Sequence, residues 1–263
     1  AALVALRKAM HKYRARHSLT FHNSIAGAKA FRESHERFNN STKNLGDVSS
    51  FHVSSKVSTG ERKIELDDFA YSKKAIVTNA RCLTEGVDVP AIDCVLFADP
   101  KQSTIDIVQA VGRAIRKSKK KEGKSTIILP VPILHKRNTK ATIESSAFET
   151  VWRVLEALRA HDDVLAESLD RLRTKLGQRR GGRIRLPKLI LDLPRSVDAA
   201  FSDAIRLHAL EHSTESFWEG LGHLKAYKAE HGHLEVPLRF KTKDGYPLGS
   251  WASHRRQDYK NKN

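Results

Sequence analysis

Apolar positions along the chain follow two different periods. In the first half, short runs rich in β-branched and aromatic residues alternate with amphipathic stretches. Ser18–His22, Phe51–Val53, Ala75–Thr78, Cys94–Ala98 and Thr126–Leu129 read as five strands. Helical patterns separate them, over residues 2–16, over 25–38 behind Ser24 as N-cap, over 61–69, and over 104–116. In the third of these, Ile64, Leu66 and Phe69 fall on one side. Short buried runs joined through helices predict an α/β fold, a parallel sheet with helices on both faces. Such sheets bind ligands at the carboxyl ends of their strands.

Past residue 135 the strand signal nearly stops. Phe148, Val151, Leu155, Leu158, Val164, Leu169, Leu172 and Leu176 form a broken apolar stripe that predicts one long helix over Glu144–Leu176, with Gly177 as its terminator. Gln178–Arg185 reads as a flexible basic hinge. Pro187 and Pro194 bracket a short strand at Lys188–Asp192, and residues 197–212 return to helix. A last module, from about residue 213, is rich in Trp, His and Gly. The expected organisation is a sheet domain over 1–134, a mainly helical connector over 135–212 and a small helical module over 213–263.

With 263 residues the chain is long enough for one large or two modest cores. No apolar stretch approaches the roughly 20 residues of a membrane-spanning helix, so no membrane partner is expected. The chain opens on what reads as mid-helix, the expectation for a piece of a longer polypeptide. The formal charge is +17, from 47 Lys and Arg against 30 Asp and Glu. That balance points to a polyanion, most simply nucleic acid, over a merely solvated basic face. Two basic segments stand out. Arg113–Lys124 holds seven basic residues against one acid, and Arg171–Arg195 holds nine against Asp192. The second, with Arg179, Arg180 and Arg183 around a Gly-Gly pair, suits sequence-independent backbone contact, with a plain linker as the alternative. Cys82 and Cys94, without metal spacing, suit a reducing, cytoplasmic setting and packing as small hydrophobes.

The candidate chemistry centres on Gln109-Ala-Val-Gly112-Arg113-Ala-Ile-Arg116. Two guanidiniums three residues apart share one helix face and can clamp a phosphate through several charge-assisted hydrogen bonds. Upstream, Thr78-Asn-Ala-Arg-Cys-Leu-Thr84-Glu85-Gly86-Val87-Asp88-Val-Pro90 links the third and fourth strands. Gly86 permits close backbone approach, and Asp88 is an acceptor for a ribose hydroxyl or a metal-bound water. An ordinary turn uses the same residues.

In this order and spacing the two segments resemble motifs V and VI of superfamily 2 helicases, and Leu19-Thr-Phe-His-Asn23-Ser24 is similar to motif IV. The resemblance covers about residues 1–134 and implies the second of the two RecA-like motor domains. It further implies that Arg116 is the arginine finger, that Arg113 is its neighbour on the γ-phosphate, and that Gln109 senses the nucleotide. Gly112 lies within the same motif. Gly86 and Asp88 correspond to the pair lining the interdomain nucleotide cleft. Thr78 and Asn23 or Ser24 fall where the family meets the nucleic-acid backbone.

A motor also needs a G-x-x-x-x-G-K-[ST] loop and an acidic pair for Mg²⁺. Gly123-Lys124-Ser125 imitates the end of that loop, but Ser118 stands at the first glycine and the tripeptide precedes a strand. Glu65-Leu-Asp67-Asp68 lies within a helical pattern and reads as a solvated face. The expectation is an ATP and Mg²⁺ site completed by an N-terminal RecA-like domain of the same polypeptide, with DNA or RNA as track, and no hydrolysis by this chain alone. The rival is a non-catalytic nucleic-acid-binding module derived from a helicase.

Beyond residue 213, Trp218-Glu-Gly-Leu221, Leu224, Tyr227, His231-Gly232-His233, Val236-Pro237, Asp244-Gly245, Leu248-Gly249 and Trp251 resemble the helicase-associated domain. The resemblance implies nucleic-acid binding and a module truncated at Asn263. Trp218, Leu221, Leu224 and Tyr227 share a helix face and read as core. His223, His231 and His233 lack a regular ligand spacing, so no metal site is expected.

Overall fold

The computed structural model describes residues 1–41, 45–80, 92–99, 112, 125–131, 139–178, 184–187, 189, 192–193 and 197–261. Two compact units emerge. The first comprises Ala1–Leu134 with Glu144–Leu158, and the second His135–Ile143 with Arg159–Asn263.

The first unit is an α/β layer built on β1 (His17–His22), β2 (Ser49–Ser54), β3 (Ala75–Ala80), β4 (Cys94–Phe97) and β5 (Thr126–Ile128). All neighbouring pairs are parallel, in the order β2-β3-β1-β4-β5. Helices α1 (Ala2–Lys12) and α2 (Ile25–Ser41) cover one face, where Leu6, Met10, Ile76, Cys94 and Leu96 pack with Phe31. Helix α3 (Thr59–Tyr71) and residues of the later helix α5 (Ser146–His161) cover the other, where Leu19, Phe21, Val53, Leu66, Phe69, Val77 and Val95 meet Val154 and Ala157. The connection β1–α2–β2 runs outward over one face and β2–α3–β3 returns over the other. Reversing direction and face together preserves the hand of the crossover, as parallel sheets require. Ile64, expected on the inner side of α3, is 62% exposed.

Helix α1 stops in a Schellman arrangement. Arg14 adopts a left-handed φ of 56°, and the Ala15 N–H returns to the Met10 carbonyl at 3.0 Å. Capping of α3 is reciprocal between Ser58 and Glu61. One buried cation fastens the α1/α2 layer. Arg7, 1% exposed, donates to Asn39 Oδ1 at 2.7 Å and to the Gly46 carbonyl, and meets His35 Nε2 at 2.8 Å. Burial first, and the Arg7 charge second, push the His35 pKa from 6.5 down to about 4.

This depression has a stability consequence. Between those two values the unfolded chain binds the proton and the folded one does not. His35 therefore contributes stability in full above about pH 6.5. That contribution shrinks as pH falls and is exhausted below about pH 4, a difference on the order of 3 kcal/mol. His35→Leu should flatten the pH dependence of the denaturation midpoint between pH 6.5 and 4; an unchanged slope would refute the assignment.

The expected helix over Glu144–Leu176 is two helices. Asp162 interrupts it, its Oδ1 accepting the Leu165 N–H at 2.9 Å as a cap, and divides α5 from α6 (Asp163–Gln178). Residues 144–158, and so most of α5, group with the sheet unit, and residues from Arg159 group with the second.

The second unit contains α4 (Thr139–Ile143), α6, α7 (Ala199–His212), α8 (Ser216–His231) and α9 (Leu248–Lys260). Gly177 does not terminate α6 but lies within it, at the crossing with α8. A Cβ on Gly177 would sit 2.2 Å from the Glu219 carbonyl oxygen, and one on Gly222 would sit 2.1 Å from that of Thr174. Beside this crossing Arg173, 6% exposed, pairs with Glu219 and lies 3.7 Å from Glu211. Arg159 grips Asp170 with two bonds of 2.8 and 3.0 Å and also donates to the Ser213 carbonyl. The 213–263 module packs Tyr227, Val236, Leu248 and Ala252 with Leu224, Phe240, Tyr246 and Trp251. Gly220 lies under the Trp251 ring, which a Cβ would meet at 2.1 Å. The helices on either side of the basic segment, α6 and α7, belong to the same unit.

Candidate functional site

Because all five strands are parallel, their carboxyl ends share one edge. β1 continues into Asn23 and Ser24, and β4 into Asp99. The Asn23 backbone N–H donates to Asp99 Oδ2 at 2.9 Å. The chain leaves β1 across β3 towards β2, whereas β4 lies on the other side of β1. Asn23 and Asp99 therefore meet at the strand-order reversal where open α/β sheets bind ligands. Ser24 caps α2, its Oγ accepting the Gly27 N–H at 3.0 Å. Both residues stand at the ligand edge, with Ser24 committed to its helix and the Asn23 backbone to its neighbouring strand. Asp99 escaped the sequence reading. Its only signal was an acid at the end of a buried strand.

Thr78 requires a correction. It is fully buried, two residues inside the end of β3, on the α2 side. Its hydroxyl lies 3.3 Å from the Phe51 carbonyl and 2.9 Å from His52 Nδ1, within hydrogen-bond reach of both. In register Thr78 stands between His52 and Thr20, and Thr20 Oγ1 lies 2.9 Å from His22 Nε2. The result is a buried polar row across β2, β3 and β1. Burial foremost, with Lys29 and Arg32 nearby, lowers the His52 pKa and keeps the ring neutral. A hydroxyl so enclosed holds strands together and does not present itself to a phosphate outside the sheet.

Of the run Gln109–Arg116 only Gly112 lies within the described residues, where it is helical and half-buried. Gln109, Arg113, Arg116, Gly86, Asp88, Arg179, Arg180 and Arg183 lie outside them. Among the described basic residues of 171–195, Arg171 pairs with Glu167, and Arg173 is the buried cation of α6. Cys94 is buried, and burial raises its thiol pKa to about 12, which leaves it inert.

Among the described residues no group of three or more His, Cys, Asp or Glu can hold a metal ion, and no helix is long and apolar enough to cross a membrane. The module's histidines have other roles. His231 stacks on Tyr227 with centroids 4.0 Å apart and lies 3.1 Å from the Tyr227 carbonyl through Nδ1. His223 stacks on Tyr246 at 4.3 Å.

Comparison with known proteins extends these observations. Residues 1–118 match the helicase conserved C-terminal domain, and residues 214–263 match the helicase associated domain. The chain is 32% identical over 103 residues to "Probable helicase A859L" of African swine fever virus, covering 39% of this chain and 11% of that protein. Among solved structures it resembles the "ATP-dependent Type ISP restriction-modification enzyme LlaBIII bound to DNA", with a TM-score of 0.62, 22% identity, and coverage of 95% of this chain and 19% of that one. The chain thus spans between a tenth and a fifth of the length of these relatives. The parallel α/β sheet thus carries a match to the helicase conserved C-terminal domain, and the 214–263 module a match to the helicase associated domain.

Proposed function

We propose that this chain is the C-terminal part of an ATP-dependent DNA or RNA helicase or translocase, and that it supplies the arginine side of an ATP and Mg²⁺ site. The observation that carries this reading is the extent of the helicase match: it runs to residue 118 and so includes the whole Gln109–Arg116 run and the Gly86–Asp88 segment. In this reading Arg116 is the finger that meets charge developing on the γ-phosphoryl group, and Arg113 holds the same phosphate from one helical turn away. Gln109 and Gly112 line the nucleotide side of that helix, and Gly86 and Asp88 line the cleft. Asn23 and Ser24, at the ligand edge of the sheet, approach the nucleic-acid backbone, as do Arg179, Arg180 and Arg183.

Phosphoryl transfer demands positioning and charge neutralisation from both sides of the nucleotide. Bidentate guanidiniums supply one side. Mg²⁺ would neutralise charge on the other, held by a phosphate loop and acidic pair on an N-terminal RecA-like domain, since the sequence here carries neither motif. It follows that the 263-residue chain alone, supplied with ATP, Mg²⁺ and nucleic acid, turns over no ATP above background, whereas the full-length protein does. Turnover by this chain at the 1 to 100 s⁻¹ typical of phosphoryl-transfer enzymes would overturn the division of labour.

A further inference from the structure

The 213–263 module carries a groove of about 500 Å³ lined by Leu238, Arg239, Phe240, Lys241, Pro247 and Ser250. It lies on the loop that wraps the start of α9. The geometry points to a binding site there for a few nucleotides of single-stranded nucleic acid, with Arg239 and Lys241 on phosphates and bases laid on Leu238, Phe240 and Pro247. This inference rests on the reading above that nucleic acid is the partner, and adds a second site to it.

Three observations carry it. First, the loop is already organised. Phe240 N–H returns to the Pro237 carbonyl at 2.9 Å, Gly249 N–H to the Phe240 carbonyl at 3.0 Å, and Thr242 N–H to the Tyr246 carbonyl at 3.0 Å. A Cβ on Gly249 would sit 2.1 Å from the Pro237 carbonyl oxygen, so no larger residue lets the loop close on α9. The amides of Phe240, Thr242 and Gly249 are thus committed within the loop, and the side chains of Arg239 and Lys241 are available to a ligand.

Second, the two cations of the groove differ from their neighbours. Lys243 has Glu230 at 3.9 Å, Arg255 has Asp258 at 3.1 Å, and Arg256 donates to the Leu234 carbonyl. Arg239 and Lys241 are exposed and have no carboxylate partner among the described residues. The nearby acid Asp244 accepts the Thr242 hydroxyl.

Third, the floor between them is apolar and open. Leu238 is 62% exposed, Pro247 is exposed, and Phe240 is half-buried, edge-on to Tyr227. Free cations flanking an apolar and aromatic floor fit unpaired bases with their phosphates. A duplex keeps its base faces stacked inside and offers nothing to that floor.

The test is fluorescence anisotropy of a labelled oligo-dT of about 15 nucleotides with the 263-residue chain, repeated across salt concentrations. Arg239→Ala with Lys241→Ala should weaken binding at least tenfold at low salt. It should also reduce the salt slope by about 1.4, two single-strand phosphate contacts at about 0.7 each. Leu238→Ser should weaken binding severalfold and leave the slope unchanged. Lys243→Ala, whose cation already has a partner, should change neither by as much. Wild-type affinity and slope in the double variant would overturn the groove and leave the motor reading standing. Equal losses on a blunt duplex would overturn the single-strand assignment. Absence of any oligonucleotide binding by the wild-type chain, while the full-length ATPase still depends on Arg116, would overturn the groove without touching the finger.

Discussion

Arg116→Ala in the full-length protein is expected to lower nucleic-acid-stimulated ATP turnover by at least about a thousandfold while ATP binding is retained. The magnitude is that of an arginine finger, whose charge acts mainly on the transition state. An interaction made only there lowers kcat and leaves ground-state affinity nearly intact. Arg116→Lys should rescue little, because a lysine presents a point charge where the planar fork places two parallel donors. Arg113→Ala should also lower kcat, and the double variant should fall no further than the worse single one, since both side chains serve one phosphate. Turnover in Arg116→Ala within tenfold of wild type would sink the assignment. Loss of ATP binding in the same variant would reassign Arg116 to ground-state recognition.

The second large effect is structural. Gly222→Val should destabilise the second unit by about 3 kcal/mol or more. The added carbon meets backbone on α6, the Thr174 carbonyl oxygen at 2.1 Å and Gly177 Cα at 3.0 Å, so no rotamer change relieves it. The helices must part, and the buried Arg173 then loses its hold on Glu219. Amide hydrogen exchange over α6 and α8 reads this directly: protection should collapse in those two helices. Gly60→Ala in α3 is the contrast, for nothing lies within 4 Å of its Cβ position. That substitution should be neutral or stabilising by up to about 1 kcal/mol. Unchanged protection in Gly222→Val would mean that the crossing is looser than its geometry.

The strands of the sheet were legible because each is a short apolar run between polar turns, and a strand buried on both faces needs such a run. What distance along the chain conceals was not legible. Gly177 follows a periodic apolar stripe, and locally a glycine there reads as a helix terminator; the backbone that demands it, the Glu219 carbonyl, lies on another helix. Asp162 had a readable signal, a capping residue in mid-pattern, but no glycine or proline beside it to mark a break. Thr78 was assigned to the nucleic-acid side by resemblance, and a hydroxyl near a strand end suits a ligand as well as a neighbour. Only the register that sets it beside His52 decides between them. The proposed finger, sensor and cleft residues rest on resemblance alone, since arginines on a helix have no local property that distinguishes a phosphate ligand from a solvated face.

The basic segment between Gln178 and Ala199 returns to the unit it left, and that restricts it in a simple way. About 20 residues anchored at both ends cannot stray further than half their extended length, on the order of 35 Å, from their attachments. The six basic residues between these two attachments are held to that reach by chain length alone. If the proposed groove captures a single strand, that strand would meet these six charges at an effective concentration on the order of millimolar, without a second encounter from solution.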